Sequence, residues 1–232
     1  MTADSSTSTT ASLWGVGSFR VGDAILPYPV SQDDHGRDIA SAMKGLRSLG
    51  IHDQSRALVL SMLSEAAQYW PVQIGLLVSK AQFSLGDASR FDAFRTAMFL
   101  RAMHYDVVLG INTEVLDGLD DLGHAYADVF AGTHVLAARP GAYERLHDAG
   151  LGPRLWVHVG PTVAVECDAL AGAHIDGDEW EIEVADGEIV VTTRNPRAAS
   201  IDRLRTGIRG EVVTEPCACG RSDPRVVPTL GV

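Results

Sequence analysis

The rhythm of the middle of the chain constrains the fold more than any other feature. Ala57-Leu58-Val59-Leu60-Ser61-Met62-Leu63 is a continuous apolar run of strand length, which suits a strand covered on both faces and therefore a parallel sheet. Further strand-length runs follow at 81–85, 105–111, 133–138 and 155–159. The stretches between them, 66–80, 89–104, 113–122 and 141–149, have helical spacing. Pro71 either kinks the first of these helices or opens a second segment. Ahead of them, 31–50 places Ile39, Met43 and Leu46 on one helical face, with Asp33 or Asp34 as N-cap and Gly50 as the stop. Five strands alternating with helices predict an α/β fold with a doubly wound, mostly parallel sheet.

After Gly160 the pattern changes to short strands without helices, at 162–166, 180–184, 188–193 and 210–214, separated by Gly and Asp turns. This predicts a small β-subdomain. The expected division is a disordered Ser/Thr-rich tail over 1–13, an α/β sheet domain over 14–160 and the β-subdomain over 161–232. Trp14 to Asp23 reads as a glycine-bearing hairpin.

Charge and cysteine usage limit the partners. The net charge of −11 repels phosphate backbones and anionic lipid, and no Lys/Arg run makes a local exception. No nucleic acid or membrane partner is expected. Three cysteines, no secretory apolar region near Met1 and no run of membrane-spanning length point to the cytoplasm.

All three cysteines lie in the β-rich part: Cys167 at a strand end, then Cys217-Ala218-Cys219-Gly220. Pro216 and Gly220 favour a tight turn that aims two sulfurs at one point, and a Gly172 turn can bring His174 back beside Cys167. By spacing alone the four residues are either the Cys₃His set of a closed zinc site or ordinary buried thiols with a surface histidine.

The order of motifs resembles that of phenylacetate–coenzyme A ligases, members of the adenylate-forming superfamily. The resemblance is carried by Gly160-Pro161-Thr162-Val163-Ala164-Val165-Glu166-Cys167, by Gly172-Ala173-His174, by Gly187 to Thr193, by Arg203-Leu204-Arg205-Thr206-Gly207 and by Pro216-Cys217-Ala218-Cys219-Gly220-Arg221. It implies a structural zinc on Cys167, His174, Cys217 and Cys219, pinning the ends of the β-subdomain. It also implies that the portion before the family's phosphate loop and the mobile C-terminal domain, with its catalytic lysine, are not here. With that preceding portion gone, an apolar face is left bare, and a homodimer through 66–80 and 89–104 is expected.

Three departures weaken the family's chemistry. The phosphate loop is reduced to Gly15-Val16-Gly17-Ser18-Phe19-Arg20-Val21-Gly22, with Asp23 beside it and no lysine. Where the family has an aromatic-Gly-x-Ser-Glu segment, this chain has Leu155-Trp156-Val157-His158-Val159. Where an aspartate should hold the ribose hydroxyls stands Ile208, which accepts no hydrogen bond. Adenylation is therefore not expected, and whether the chain is an enzyme at all stays open. Trp156 and His158, on one face of the fifth strand, and Arg205 are the candidates for binding a small aromatic or acyl ligand. Asp120-Asp121 and Asp176 to Glu179 read as solvated turn charges.

The functional expectation is a non-ligase descendant of such a ligase, acting as an accessory or interaction protein. The alternatives are an enzyme that reuses the old pocket on a small carboxylate or acyl thioester, and a ligase fragment completed by a partner chain.

Overall fold

A computed structural model describes residues 12–231. The expected tail lies outside the described residues except for its last two positions, of which Leu13 already opens the first strand.

The chain begins with a hairpin, β1 (Leu13–Val21) and β2 (Ala24–Ser31), turning at Gly22-Asp23 and forming a separate two-stranded sheet. Pro27 and Pro29 lie within β2, which a two-stranded ribbon tolerates because each strand has a free edge. Phe19 packs edge-on against Tyr28 and, with Val30 and Ala67, forms a small core of its own. Helix α1 (Gln32–Ser48) follows directly. Its N-cap is Ser31, not Asp33 or Asp34: the Ser31 hydroxyl accepts from the Asp34 amide while the Asp34 carboxylate accepts from the Ser31 amide. The reciprocal pair satisfies two otherwise orphaned donors at once, which is why serine wins the cap.

The α/β part contains β3 (Arg56–Ser61), α2 (Ala66–Val78), β4 (Gln82–Asp87), α3 (Ala93–Met103), β5 (Val107–Ile111), α4 (Thr113–Asp121), the short α5 (Tyr126–Val129), β6 (Val135–Ala138), α6 (Pro140–Asp148) and β7 (Arg154–Val159). Single 3₁₀ turns, Leu63–Glu65 and Arg90–Asp92, lead into α2 and α3, and α2 runs unbroken through Pro71. The five strands are parallel in the order β4-β3-β5-β6-β7. Alternation along them, reset at Gly110 where the register of β5 shifts, divides the core. Leu58, Leu60, Val108 and Ile111 pack under α3, α4 and α6, whereas Ala57, Val59, Val107 and Leu109 pack under α1 and α2.

Beyond β7 the pairing turns antiparallel through β8 (Thr162–Glu166), β9 (Ala173–His174), β13 (Arg225–Pro228), β12 (Leu204–Val213), β11 (Glu188–Thr193) and β10 (Trp180–Ala185), so one mixed sheet of eleven strands runs through the molecule. β12 begins six residues before the expected strand at 210, and β9 and β13 were not legible from periodicity because they are only two and four residues long.

Asp176 and Glu179 overturn their reading as solvated charges: both are buried. Lys44 on α1 reaches Asp176 at 2.8 Å. Arg197, whose side chain is fully buried over the Trp180 ring, bonds Glu179 and Asp38 at 2.7 Å each. Arg37 adds contacts to Asp34 and Glu179. This network straps α1 to the β-rich part, and burial pushes Asp38 up to about 6 against the pull of Arg197.

Candidate metal centre and the carboxyl end of the parallel sheet

The first site is built by the β8–β9 turn and the loop before β13. Glu166, the last residue of β8, is buried and accepts from the amides of Leu155 and Gly172, which fixes both ends of the turn carrying Cys167. Gly172 has φ +101°, and a Cβ there would lie 2.8 Å from Val227, so no other residue fits without displacement. The chain then returns as β9, with His174 paired to Val165 on one side and to Arg225 on the other.

The Cys217–Cys219 turn is closed by Gly220 N donating to Cys217 O and Cys217 N to Arg221 O, both at 2.9 Å. Arg225 braces it from behind, donating to the carbonyls of Ala171 and Glu215. These elements bring Cys167, His174, Cys217 and Cys219 together with their ligand atoms all within 4.8 Å of one another. Cys167 Sγ and Cys217 Sγ are 3.7 Å apart, and Cys219 Sγ lies 3.4 Å from His174 Nε2.

These are the edge lengths of a small tetrahedron. A four-coordinate ion with metal–sulfur bonds of about 2.3 Å and metal–nitrogen bonds of about 2.0–2.1 Å requires edges of about 3.8 Å between sulfurs and about 3.6 Å between sulfur and nitrogen. The backbone orients the His174 ring: Nδ1 donates to Asp223 O at 3.2 Å, which leaves the Nε2 lone pair facing the thiols. Burial pushes the Cys167 thiol up to about 11, while the Cys219 backbone amide pulls Cys217 below its ordinary value. Three thiolates this close repel one another unless a cation sits among them. The donor set therefore fits a metal ion, and four protein ligands leave no position for a reacting water.

The second site lies at the carboxyl ends of the parallel strands, where open α/β sheets collect ligands. Arg139, immediately after β6, makes a two-pronged pair with Glu65 of the 3₁₀ turn after β3, at 2.6 and 2.7 Å. Arg139 also approaches Tyr69 Oη at 3.3 Å, and His158 Nε2 sits 3.2 Å from the same oxygen. His158 Nδ1 is 3.9 Å from Glu65 Oε1. Burial, reinforced by the Arg139 charge, holds His158 well below its ordinary value, so the imidazole is neutral. Gly110 of β5 makes room for the cluster: a Cβ there would meet Tyr69 Oη at 2.3 Å and Leu60 O at 2.4 Å. Beside it, at the ends of β3 and β4, opens a cleft of about 550 Å³ reached by Tyr69, Ser61, Met62, Trp70 and Asp87.

Of the three ligand-binding candidates, the fold brings two together. Trp156 stacks on Tyr69 at 6.2 Å and His158 meets the same ring edge-on at 5.4 Å. Arg205 is not with them: it is on the exposed side of β12, paired with Glu188 and Asp186. Glu65, Tyr69 and Arg139 were missed by sequence reasoning. The available signal was a charged residue directly after an apolar strand run, as at Ala138-Arg139. Ile208, in the ribose-aspartate position, packs into the apolar cluster of the β-rich part. The Gly15–Gly22 segment is a packed hairpin, with Gly17 at the Ala67 backbone.

No family model matches the sequence, and no curated protein matches it. Solved structures do match in fold. A 2-hydroxyisobutyryl-CoA ligase, solved in an open conformation with 2-HIB-AMP and CoA, superposes with a TM-score of 0.72 at 16% identity over 92% of this chain and 56% of the ligase. An anthranilate CoA ligase with anthranoyl-AMP gives 0.62 at 11% identity over 92% of this chain and 46% of its own. The o-succinylbenzoate coenzyme A synthetase of Bacillus subtilis with AMP gives 0.57 at 15% over 92% and 48%. The chain thus has the fold of part of these CoA ligases. At these identities the likeness is one of fold, and the chain spans about half the length of the ligases it matches. No helix among the described residues is long and apolar enough to cross a membrane.

Proposed function

We propose that this chain is a derived form of a phenylacetate–CoA ligase-like adenylation domain that keeps the doubly wound scaffold, binds one structural zinc and works in the cytoplasm as an accessory or interaction protein without adenylating carboxylic acids. The observation that carries the reading is the state of the carboxyl-end site. Buried Arg139 is neutralised by Glu65 and Arg95, which lines the cleft, is paired with Asp92, so a triphosphate entering there meets two satisfied guanidiniums and the carboxylate of Asp87. The hairpin and Ile208 add no phosphate or ribose contact. Zinc is favoured among divalent ions by three thiolates and one imidazole, and three unbridged thiols accord with a reducing compartment.

One observation favours a second reading, an enzyme acting on a small aromatic carboxylate or acyl thioester: neutral His158, bonded to Tyr69, has the form of an acid–base pair next to an open cleft. A ligase active together with a partner chain is the third. Pyrophosphate exchange into ATP over a panel of aromatic and short acyl acids separates them. The accessory reading expects no acid-dependent exchange and no melting shift with the acids or their thioesters. A shift without exchange moves the balance to the second reading, and exchange that appears only on adding a co-purifying chain moves it to the third.

A further inference from the structure

The mixed sheet has two outer edges, and they differ. β10 is defended: Glu181 and Glu183 lie within it and Arg203 pairs with Glu183, which discourages another strand from joining. β4 carries no charge, proline or bulge between its ends, and its register with β3 is regular from Gln82 to Asp87. Gln82 N and Ala88 N donate toward β3, so by alternation the amides and carbonyls of Phe83 and Leu85 point outward, where β4 has no neighbouring strand among the described residues. Apolar side chains flank this edge on both sheet faces. Leu77, Val78 and Leu85 are exposed on the α2 side, and Phe94 and Met98 on the α3 side.

The ends of the strand identify the occupant. Lys80 precedes β4 and Asp87 closes it, and neither has an ion-pair partner among the described residues. A strand with a free cation at one end and a free anion at the other is complementary to itself run antiparallel. We infer that β4 pairs with β4 of a second copy about a two-fold axis, extending the sheet across the dimer. The register follows from the free groups. Asp87 N is already bonded to the Asp92 carboxylate at 2.9 Å, so the outward pairs are Phe83 with Leu85 of the second copy and the reverse. Each pair exchanges two backbone hydrogen bonds and sets a ring against an aliphatic side chain on the α2 face. Ser84 meets its own copy on the axis, and each Lys80 comes opposite the other copy's Ala88, one residue from its Asp87 and within the reach of a lysine side chain. This inference does not depend on whether the chain binds nucleotide.

Sedimentation equilibrium of the full chain at micromolar concentration tests it, with a species of twice the 24.8 kDa chain mass expected. Leu85→Lys places a charge at the centre of the joint and is expected to weaken association ~10-fold or more without changing the circular dichroism spectrum. Lys80→Asp weakens it through like charges, and Lys80→Asp with Asp87→Lys in one chain restores it, because the swap recreates the same pair with its polarity exchanged. A monomer across the micromolar range, a dimer indifferent to Leu85→Lys, or a double swap no tighter than Lys80→Asp overturns the inference.

Discussion

Replacing Arg139 by methionine removes one half of a buried ion pair and leaves the other half in place. Glu65 is 3% exposed and Arg139 20%, so water cannot re-solvate the carboxylate that the guanidinium abandons. Truncating one partner of such a pair costs about 3–5 kcal/mol, because the surviving charge is stranded. The cluster has one internal relief. With the Arg139 charge gone, the force that depresses His158 weakens, and its ring, 3.9 Å from Glu65, can take a proton and pair with the carboxylate. The expected cost of Arg139→Met is therefore at the lower end, about 3 kcal/mol at pH 8, and smaller at pH 6 where His158 protonates more readily. Glu65→Leu combined with Arg139→Met strands neither charge and is expected to cost less than Arg139→Met alone. Urea unfolding followed by circular dichroism, as a double-mutant cycle at both pH values, provides the measurement. A loss below about 1 kcal/mol for the single variant, or additive losses, would refute the claim that the pair is buried and coupled.

Protein purified without chelators is expected to contain one zinc per chain by elemental analysis, and Cys167→Ser to lose most of it together with cooperative unfolding of the β-rich part; less than a third of an equivalent in the parent protein contradicts the site. His158, held below the ordinary histidine value of about 6.5, gains a proton on unfolding but not in the fold. Its contribution is thus intact above about pH 6.5 and falls as pH drops below it, by up to about 1.4 kcal/mol per pH unit. His158→Gln should flatten that slope, and an unchanged slope would show that the ring titrates freely. Gly110→Ala combines a φ of +83° with contacts of 2.3 and 2.4 Å, so a loss of about 2–4 kcal/mol is expected, and a melting temperature within a degree of the parent's would show that the cluster yields.

The parts of the fold legible in the sequence are those whose residues state their own environment. The run at 57–61 is apolar on both faces because helices cover both, and the five-strand alternation follows from it. The Cys₃His set was legible because thiols are rare here and the turn residues Pro216, Gly172 and Gly220 mark where they converge. Structure that depends on distant partners left no local trace. Asp176 and Glu179 sit in a Gly-Asp turn like any solvated one, and the cations that make burial tolerable, Lys44, Arg37 and Arg197, come from elsewhere in the sequence. Trp156 and His158 were recognised as sharing a face, but Glu65, Tyr69 and Arg139 reach them from three other elements. Arg205 was grouped with them through its motif, and β12 carries it to an exposed position paired with Glu188 and Asp186.

The central claim is that this fold has kept its scaffold and lost its nucleotide. Calorimetric titration of the zinc-loaded chain with ATP and Mg²⁺ tests it most directly. A missing charged contact commonly costs about 1.5–3 kcal/mol, and on the proposed reading phosphate, metal and ribose contacts are all affected, which together would weaken binding by several powers of ten. No saturable heat at millimolar ATP is the predicted result; a dissociation constant in the micromolar range would contradict it.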